Sequence, residues 1–329
     1  MRASGSNSTP NPNPTPVGAA TVEAPSRRRK RKREYAHLTR FVRTKARLYA
    51  ALPYVLLAIV SLPIVVMYSW LLMNSFSKKT LFGFIPQELT LNNWRFLWEP
   101  LRIGTSVHPS IWTVTGNTLL FAGGVTVLIV LISTLAGFAL SRFDFRGRQS
   151  IMQLTILLHA FPGVTLMIAI FFVLLYLMKF TGLPFLNSLW GVVLVKAALE
   201  IPWLAWIIKG FFDAIPWEVE WSAYVDGCNR FQAWYKVILP QIRPGIAAIA
   251  IFSFLAGWGE FIFLYTFIFS EAFYTLSLYL NSIIGEFQVV EYGVVAAVAL
   301  FYMIPVIVFF IFTQKGLMQV TVGGLKGGR

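Results

Sequence analysis

Apolar residues in this chain are concentrated in six long runs separated by shorter polar segments. A helix that crosses a bilayer needs roughly 20 mainly apolar residues, and every run reaches that length. The runs are continuous rather than alternating, which favours helices over the strands of a membrane barrel. The pattern therefore predicts an all-α integral membrane protein with six transmembrane helices. The predicted spans are Tyr49 to Asn74, Trp112 to Leu140, Ile151 to Met178, Leu186 to Ile208, Ile246 to Phe269 and Gly293 to Thr313.

The overall composition excludes an ordinary soluble domain. Hydrophobic residues make up 57% of the chain and charged residues only 13%. A soluble domain usually carries about 25% charged residues. A soluble protein of this composition could not cover its own surface with polar groups.

Positive charge is unevenly distributed and predicts the orientation of the spans. Twelve of the 28 Lys and Arg residues precede residue 48, and seven form the run Arg27 to Arg33. Such a run can bind nucleic acid, but an apolar span follows it directly, so we interpret it as a cytoplasmic anchor and expect no nucleic-acid partner. Residues 141–150 carry three Arg, and residues 209–245 carry four Lys or Arg, whereas 270–292 carry only acidic charges. Both termini are therefore expected in the cytoplasm.

These features divide the chain into three parts. Residues 1–48 are predicted to be a disordered basic cytoplasmic tail, 49–315 the transmembrane domain, and 316–329 a cytoplasmic C-terminal tail. The segment 75–111 contains Pro86, Trp94, Trp98 and Pro109. It fits an ordered external cap or a simple connector equally well.

The segment between spans four and five has the pattern of a helix-turn-helix on the cytoplasmic face. Pro216 is suited to begin a helix, and Glu218 and Glu220 lie in its first turn, where the helix dipole favours negative charge. Asp226-Gly227 is a turn signal, and a second short helix is predicted from Arg230 to a stop near Pro240.

This segment resembles the EAA loop of ABC importer permeases. Positions that match the family pattern are Ala223, Asp226, Gly227, Ile238, Leu239 and Pro240. Further matches are Asn-Thr-Leu from Asn117, Ala-Gly-Phe-Ala-Leu-Ser-Arg-Phe from Ala136, Phe-Arg-Gly-Arg from Phe145, Phe-Pro-Gly from Phe161 and Gly-Gly-Leu-Lys-Gly from Gly323. The resemblance covers roughly Arg47 to Gly328 and is closest to the smaller six-span permease of maltose-type importers, in the carbohydrate branch.

The resemblance implies a multi-pass transport subunit of the cell inner membrane that is not itself an enzyme. It implies a heterodimer with a second permease subunit, two ATPase subunits below it and an external solute-binding protein above it, with ATP and Mg bound by the ATPase subunits and no cofactor, metal or catalytic residue in this chain. The implied ATPase-coupling residues are Glu218, Glu220, Trp221, Ser222, Ala223, Asp226, Gly227, Leu239 and Pro240.

The chain departs from the family at one functional position. The family glutamate falls on Trp221, its first alanine falls on Ser222, and Glu220 precedes them by one place. A helix turns about 100° per residue, so the shift changes the face. Either Glu220 takes over the contact with the ATPase, or the loop couples mainly through packing. Glu218 and Glu220 can also be read as helix N-terminal charges alone.

Chemistry inside the spans is sparse. The sequence has no Gly-x-x-x-x-Gly-Lys-Ser/Thr motif for a nucleotide, and its single cysteine, Cys228, excludes an internal disulfide framework. Ionisable candidates within the spans are Lys196, Glu200 and Glu260, each of which can line a solute path or bind a neighbouring helix. For Glu260 the structural role is favoured; for Glu200 the two are equal.

Aromatic residues make up 16% of the chain and offer further solute-path candidates. These are Trp203, Trp206, Trp258 and Tyr265, for which lipid-facing or interfacial positions are the alternative.

Two other functions were weighed against a permease. An ion-coupled secondary carrier would need internal repeats and ionisable pairs near the membrane midplane. A membrane-embedded enzyme or signalling anchor would need a catalytic set, which the sequence does not show. The sequence does not determine the solute.

Overall fold

The computed structural model describes the backbone of residues 25–81, 83, 85–103, 106–285 and 290–324, and the side chains of 50–81, 83, 85–102, 106–284 and 290–313. The chain divides into two compact units, Met1–Met67 and Tyr68–Arg329. Within the first unit, the described residues form one continuous helix. The second unit holds the other elements and both sites discussed below.

Helices dominate the described residues. They are α1 (Pro25–Ser75), α2 (Ile111–Arg142), α3 (Arg148–Ala160), α4 (Met167–Thr181), α5 (Leu189–Asp213), α6 (Trp217–Val225), α7 (Arg230–Gln232), α8 (Leu239–Gln241), α9 (Arg243–Trp258), α10 (Ile262–Phe267), α11 (Leu276–Gly285) and α12 (Tyr292–Gly324). A π-helical stretch, Ala233–Ile238, joins α7 to α8.

The prediction of an all-α chain needs one correction, because the segment after α1 contains short strands. β1 (Ser77–Leu81) pairs antiparallel with β2 (Ile85–Leu89), and β3 (Arg102–Ile103) pairs with β4 (Ser106–Val107). A 3₁₀ helix, Asn92–Leu97, lies between the two hairpins.

Five helical segments are long and apolar enough to cross a membrane, within the part of the chain that the structure describes. They are Ala50–Ser75, Ile111–Arg142, Gly163–Thr181, Leu189–Asp213 and Tyr292–Thr313. A sixth arises if the bent pair Arg230–Gln241 and Arg243–Trp258, which meet at 75°, counts as one span. The chain is thus a multi-pass integral membrane protein with five or six candidate spans.

Two predicted spans are interrupted. The predicted span from Ile151 to Met178 is divided into α3 and α4 by an irregular stretch at Phe161 and Pro162 and a 3₁₀ turn, Gly163–Leu166. Pro162 lacks the N–H that a continuing helix requires. The predicted span from Ile246 to Phe269 is likewise broken between α9 and α10.

Helices α1 and α12 extend into the two predicted tails. Helix α1 begins at Pro25, within the segment predicted to be disordered, and Lys and Arg are good helix formers. Residues 1–24 lie outside the described residues. At the other end, α12 continues through residue 316 to Gly324, and 325–329 lie outside the described residues.

The centre of the second unit is α2, which packs mainly against α5 and α9. Gly137 on α2 permits the close approach to α5, because a Cβ there would lie 2.5 Å from the Ile208 Cγ2 atom. One apolar cluster surrounds this contact, with Phe121, Ile129 and Phe212 among its buried members.

Described residues of the segment 75–111 are held by side-chain contacts. The Asn93 side-chain amide donates to the backbone oxygens of Asn74, Ser75 and Ser77 at 3.3, 3.1 and 2.9 Å. The guanidinium of Arg95 lies 2.7 Å from the carboxylate of Glu291. This segment also supplies buried apolar side chains to a second cluster, which includes Trp258 and Tyr279.

Candidate functional site

Helix α6 has well-defined ends. Pro216 is its N-cap, as the sequence predicts, and the helix ends at a left-handed Gly227 with φ 85°. The Cys228 N–H donates to the Ala223 oxygen at 2.9 Å, and the Gly227 N–H donates to the Tyr224 oxygen at 3.0 Å. This bond pair defines a Schellman motif, in which glycine adopts positive φ without a Cβ penalty.

The two faces of α6 carry different residues. Glu220 and Ala223 are buried. Trp217, Trp221 and Val225 are spaced four residues apart and are 45%, 60% and 88% exposed. Residues at this spacing share one helix face, and we call these three residues the α6 stripe. Phe231 and Tyr235, in the following helical segment, are also exposed.

The remaining predicted coupling residues lie around this helix. Glu218, Ser222 and Asp226 are exposed, and Leu239 and Pro240 are half-buried. The Ser222 hydroxyl donates to the Glu218 backbone oxygen at 2.9 Å.

Glu220 forms a buried ion pair with Arg142, the last residue of α2. The Arg142 Nε atom lies 3.2 Å from the Glu220 Oε2 atom, and both side chains are almost completely buried. The Arg142 Nη2 group donates to the Ile215 backbone oxygen at 2.8 Å, and its guanidinium carbon lies 4.6 Å from the centre of the Trp217 ring. We call Arg142 and Glu220 the arginine pair. It joins the end of α2 to the first turns of α6.

Tyr224 completes the surroundings of Glu220. Its hydroxyl donates to the Glu220 Oε1 atom at 2.5 Å. Burial and the neighbouring Glu220 carboxylate together raise the pKa of Tyr224 to about 12. Tyr224 therefore keeps its proton at neutral pH and remains a hydrogen-bond donor to Glu220.

A second set of polar contacts ties α2 to α5 close to the arginine pair. The Ser141 hydroxyl donates to the Asp213 Oδ1 atom at 2.6 Å, and Lys209 forms an ion pair with Asp213. The helix end that carries Arg142 is thereby held against α5.

A separate group of charges lies within the spans. Lys196 Nζ lies 3.1 Å from Glu200 Oε1 and 2.9 Å from Glu260 Oε2. Glu260 Oε1 also accepts the backbone N–H of Phe263 at 3.0 Å, at the start of α10. We call Lys196, Glu200 and Glu260 the lysine cluster. Glu260 thus contacts both α5 and the start of α10, and it also lines a cavity.

This cavity has a volume of about 360 Å³ and lies where the two helix breaks meet. Its lining combines the lysine cluster with His159, the α3–α4 break and the first residues of α10. The lining residues are Leu158, His159, Phe161, Pro162, Gly163, Val164, Lys196, Leu199, Glu200, Glu260, Ile262 and Phe263.

The aromatic solute-path candidates differ in their relation to this cavity, and Trp203 is the one that stacks on a lining residue. The Trp203 ring stacks on His159 at 5.1 Å between ring centres and on Trp206 at 5.8 Å. Trp258 is instead buried and bonded to Tyr302, which removes it from an open path. Tyr265 is exposed and lies outside the cavity lining.

Three residues of these sites were not among the sequence-predicted site residues. They are Arg142, His159 and Lys196. Of these, Lys196 is the residue that the sequence marks as ionisable within a predicted span. A charge at the end of an apolar run is a local signal for Arg142. An i, i+4 Lys–Glu pair within such a run is a local signal for Lys196.

The fold and these sites define a multi-spanning membrane protein with a structured loop on one side and a polar cavity between its helices. Comparison with known families identifies the class. Residues 129–315, more than half of the chain, match the family described as binding-protein-dependent transport system inner membrane component. The chain belongs to this family.

The relatives are permease subunits of sugar transport systems. The sulfoquinovosyl glycerol transport system permease protein SmoH of Agrobacterium fabrum is 33% identical over 212 residues, covering 64% of this chain and 72% of that protein. The maltodextrin transport system permease protein MalD of Streptococcus pneumoniae is 27% identical over 292 residues, covering 87% of this chain and 99% of that protein. The resemblance to importer permeases of the carbohydrate branch is therefore confirmed.

A solved structure supports the fold. The crystal structure of a bacterial ABC transporter involved in the import of the acidic polysaccharide alginate matches with a TM-score of 0.69 and 22% identity, over 82% of this chain and 96% of that chain. The comparisons give no support to an ion-coupled carrier.

Proposed function

We propose that this chain is one of two permease subunits of an ATP-driven importer that moves a sugar or sugar-like solute across the bacterial inner membrane. The family and the sugar-related names of its relatives support the solute class. The α6 stripe supports the coupling role: three large apolar side chains are exposed on a helix that the arginine pair anchors to α2. Exposed apolar patches of this kind mark interaction surfaces.

The proposed topology has six spans with both termini in the cytoplasm. In it, α3 with α4 forms the third span, and α9 with α10 forms the fifth. The Lys and Arg residues of 141–150 and 209–245 favour a cytoplasmic position for α6. The segment 75–111 then lies outside, where an external solute-binding protein docks. A bacterial alginate ABC transporter of similar fold has been solved in complex with an alginate pentasaccharide-bound periplasmic protein.

In this proposal two ATPase subunits, which bind ATP and Mg, dock from the cytoplasm, and one of them receives the α6 stripe. Glu220 is unsuited to that contact because Arg142 and Tyr224 already surround its carboxylate. Trp221, where the family has its glutamate, lies on the exposed face instead. This favours coupling through packing over a contact made by Glu220.

The mechanism requires that the closed ATPase dimer bind one orientation of α6 more tightly than another. Only such differential binding shifts a conformational equilibrium. The arginine pair then transmits the movement of α6 to α2, and α2 transmits it to α5 and α9, on which it packs.

A double variant tests the docking surface. Trp221→Ala with Val225→Ala removes most of the α6 stripe without touching the arginine pair. We expect the ATPase subunits to co-purify poorly and ATP-driven uptake in proteoliposomes to be lost. Trp190→Ala is the control, because Trp190 is 70% exposed at the start of α5, whereas α6 follows the end of α5. Full co-purification and uptake in the double variant would contradict the proposed docking surface.

A further inference from the structure

We infer that the cavity beside the lysine cluster binds one unit of the transported saccharide, and that its charge selects neutral or amino saccharides over anionic ones. The inference rests on the proposed import function and adds a substrate class to it.

The first observation that supports this site is the irregular backbone in the wall of the cavity. The α3–α4 break contributes Phe161, Pro162 and Gly163 to the cavity wall, and Glu260 and Ile262 border the α9–α10 break. Non-helical backbone at membrane depth is tolerated where it is buried in protein or lines a water-filled cavity. Two breaks that meet at one cavity therefore indicate a path that water and solute can enter.

The second support is the size and lining of the cavity. Its volume of about 360 Å³ lies within the range of roughly 300–1,000 Å³ typical of small-molecule sites. Leu199 and Phe263 provide apolar wall, while Glu200 and Lys196 provide polar groups. An apolar wall with a few convergent polar groups is the usual construction of such a site.

The third support is the charge. One ammonium, Lys196, faces two carboxylates, Glu200 and Glu260, so the ionised cluster carries a net charge of −1. A unit charge about 6 Å from an anionic group, at an effective dielectric constant near 20, weakens binding by roughly a hundredfold. The cluster therefore disfavours uronates, sulfonates and sugar phosphates.

The hydrogen-bonding capacity of the cluster fits sugar hydroxyls. A carboxylate has acceptor positions on both oxygens, and one oxygen of Glu200 is directed at Lys196. Glu200 is only partly buried, which leaves its carboxylate within reach of a solute hydroxyl. The same carboxylate would pair with the ammonium of an amino sugar.

The stacked rings extend the site along α5. Glu200, Trp203 and Trp206 follow at spacings of three residues, which keeps them close to one helix face. Trp203 is half-buried between His159 and Trp206. The apolar face of a pyranose ring can pack on such flat rings, because contact removes apolar surface of both from water.

Binding of matched trisaccharides to the complete permease–ATPase complex tests this inference. The probes are maltotriose, a glucosamine trimer and a galacturonate trimer, measured by equilibrium dialysis at low salt. We expect the neutral and amino trimers to bind at least about tenfold more tightly than the uronate. Glu200→Gln, which brings the cluster to net zero, should reduce this preference about tenfold or more. Glu271→Gln is the control, because Glu271 is exposed and lies outside the cavity.

Three results would overturn the inference: equal binding of all three trimers, a preference unchanged in Glu200→Gln, or no binding of any trimer. Measuring ATP-driven uptake with the same complex in proteoliposomes distinguishes failure of this inference from failure of the proposed function. If uptake requires ATP but its preference among the trimers is unchanged in Glu200→Gln, only the assignment of the cavity is contradicted. If uptake proceeds without ATP, the proposed importer function is contradicted.

Discussion

The arginine pair and the lysine cluster are both buried groups of charge that join different helices, yet they are built differently. The arginine pair has one charge of each sign, and Tyr224 and the Ile215 carbonyl complete its surroundings. The lysine cluster has an excess carboxylate and borders a cavity. The arginine pair is neutral and enclosed, which suits a rigid contact between two helices. The lysine cluster is charged and borders a cavity, which suits contact with a solute.

Desolvation explains why this distinction matters. Removing one member of an enclosed pair leaves an uncompensated buried charge, which is strongly destabilising. A charge that borders a polar cavity can still be solvated, so its removal costs less. The two sites should therefore respond differently to equivalent substitutions.

The largest expected effect is at the arginine pair. Arg142→Met leaves Glu220 charged and buried, which should lower the free energy of unfolding by about 3–5 kcal/mol. Thermal unfolding of the purified complex, followed by uptake assays, measures this. Arg142→Met combined with Glu220→Met removes both charges and should recover most of the stability. A stable single variant would show that the pair is not enclosed.

The next comparison is within the lysine cluster. Glu260→Gln weakens charge-assisted bonds to Lys196 and to the Phe263 N–H, at a cost of about 1.5–3 kcal/mol. Glu200→Gln should cost less than this, because the Glu200 side chain is more exposed than the Glu260 side chain. Denaturation midpoints of the two variants measure the difference. The reverse order would assign the structural role to Glu200 and the solute-facing role to Glu260.

A smaller effect is expected at the turn that follows α6. Gly227→Ala places a Cβ on a residue with φ 85°, at a cost of roughly 1–2 kcal/mol. Because this turn orients the segment after the α6 stripe, stimulation of ATP hydrolysis by the binding protein should fall.

Gly147→Ala is the matched control for that substitution, since Gly147 has φ 92° and equally open space around it. It should lose similar stability and keep its coupling. Equal loss of coupling in both variants would mean that the turn after α6 has no special role.

The smallest effect is expected at Tyr224. Tyr224→Phe removes one hydrogen bond to Glu220, worth about 1 kcal/mol at this half-buried position. Folding raises the pKa of Tyr224 from 10.0 to about 12, so the contribution is complete below pH 10 and is lost as the pH rises toward 12. Difference titration of tyrosinate absorbance between wild type and variant measures this. A tyrosine that titrates near pH 10 would contradict the contact.

Local features of the coupling segment were predictable because their causes lie within a few residues. Pro216 begins α6 and Gly227 ends it, as the sequence indicated, since both act through their own backbone geometry. The interruption at Pro162 had a local signal too, in Phe-Pro-Gly, but the continuous apolar run around it concealed the break. Hydropathy measures how readily the side chains transfer into lipid. It does not respond to the backbone N–H that Pro162 lacks.

The contacts of the charged residues could not be predicted in this way. Arg142 and Glu220 are far apart in the sequence, and only the packing of α2 against α5 brings the two elements together. The same holds for Lys196 and Glu260, which the break between α9 and α10 places opposite each other. A sequence shows that a buried charge needs a partner, without showing which partner the fold supplies.

By itself the sequence determined that the chain spans a membrane, that a helical loop with a Gly227 turn separates its later spans, and which family it resembles. These properties follow from hydropathy and local backbone chemistry. Only the tertiary structure decided that Glu220 is enclosed, that Trp221 faces outward, and that Glu200 and Glu260 share one lysine beside a cavity. Those outcomes depend on distances between helices, which no local pattern encodes.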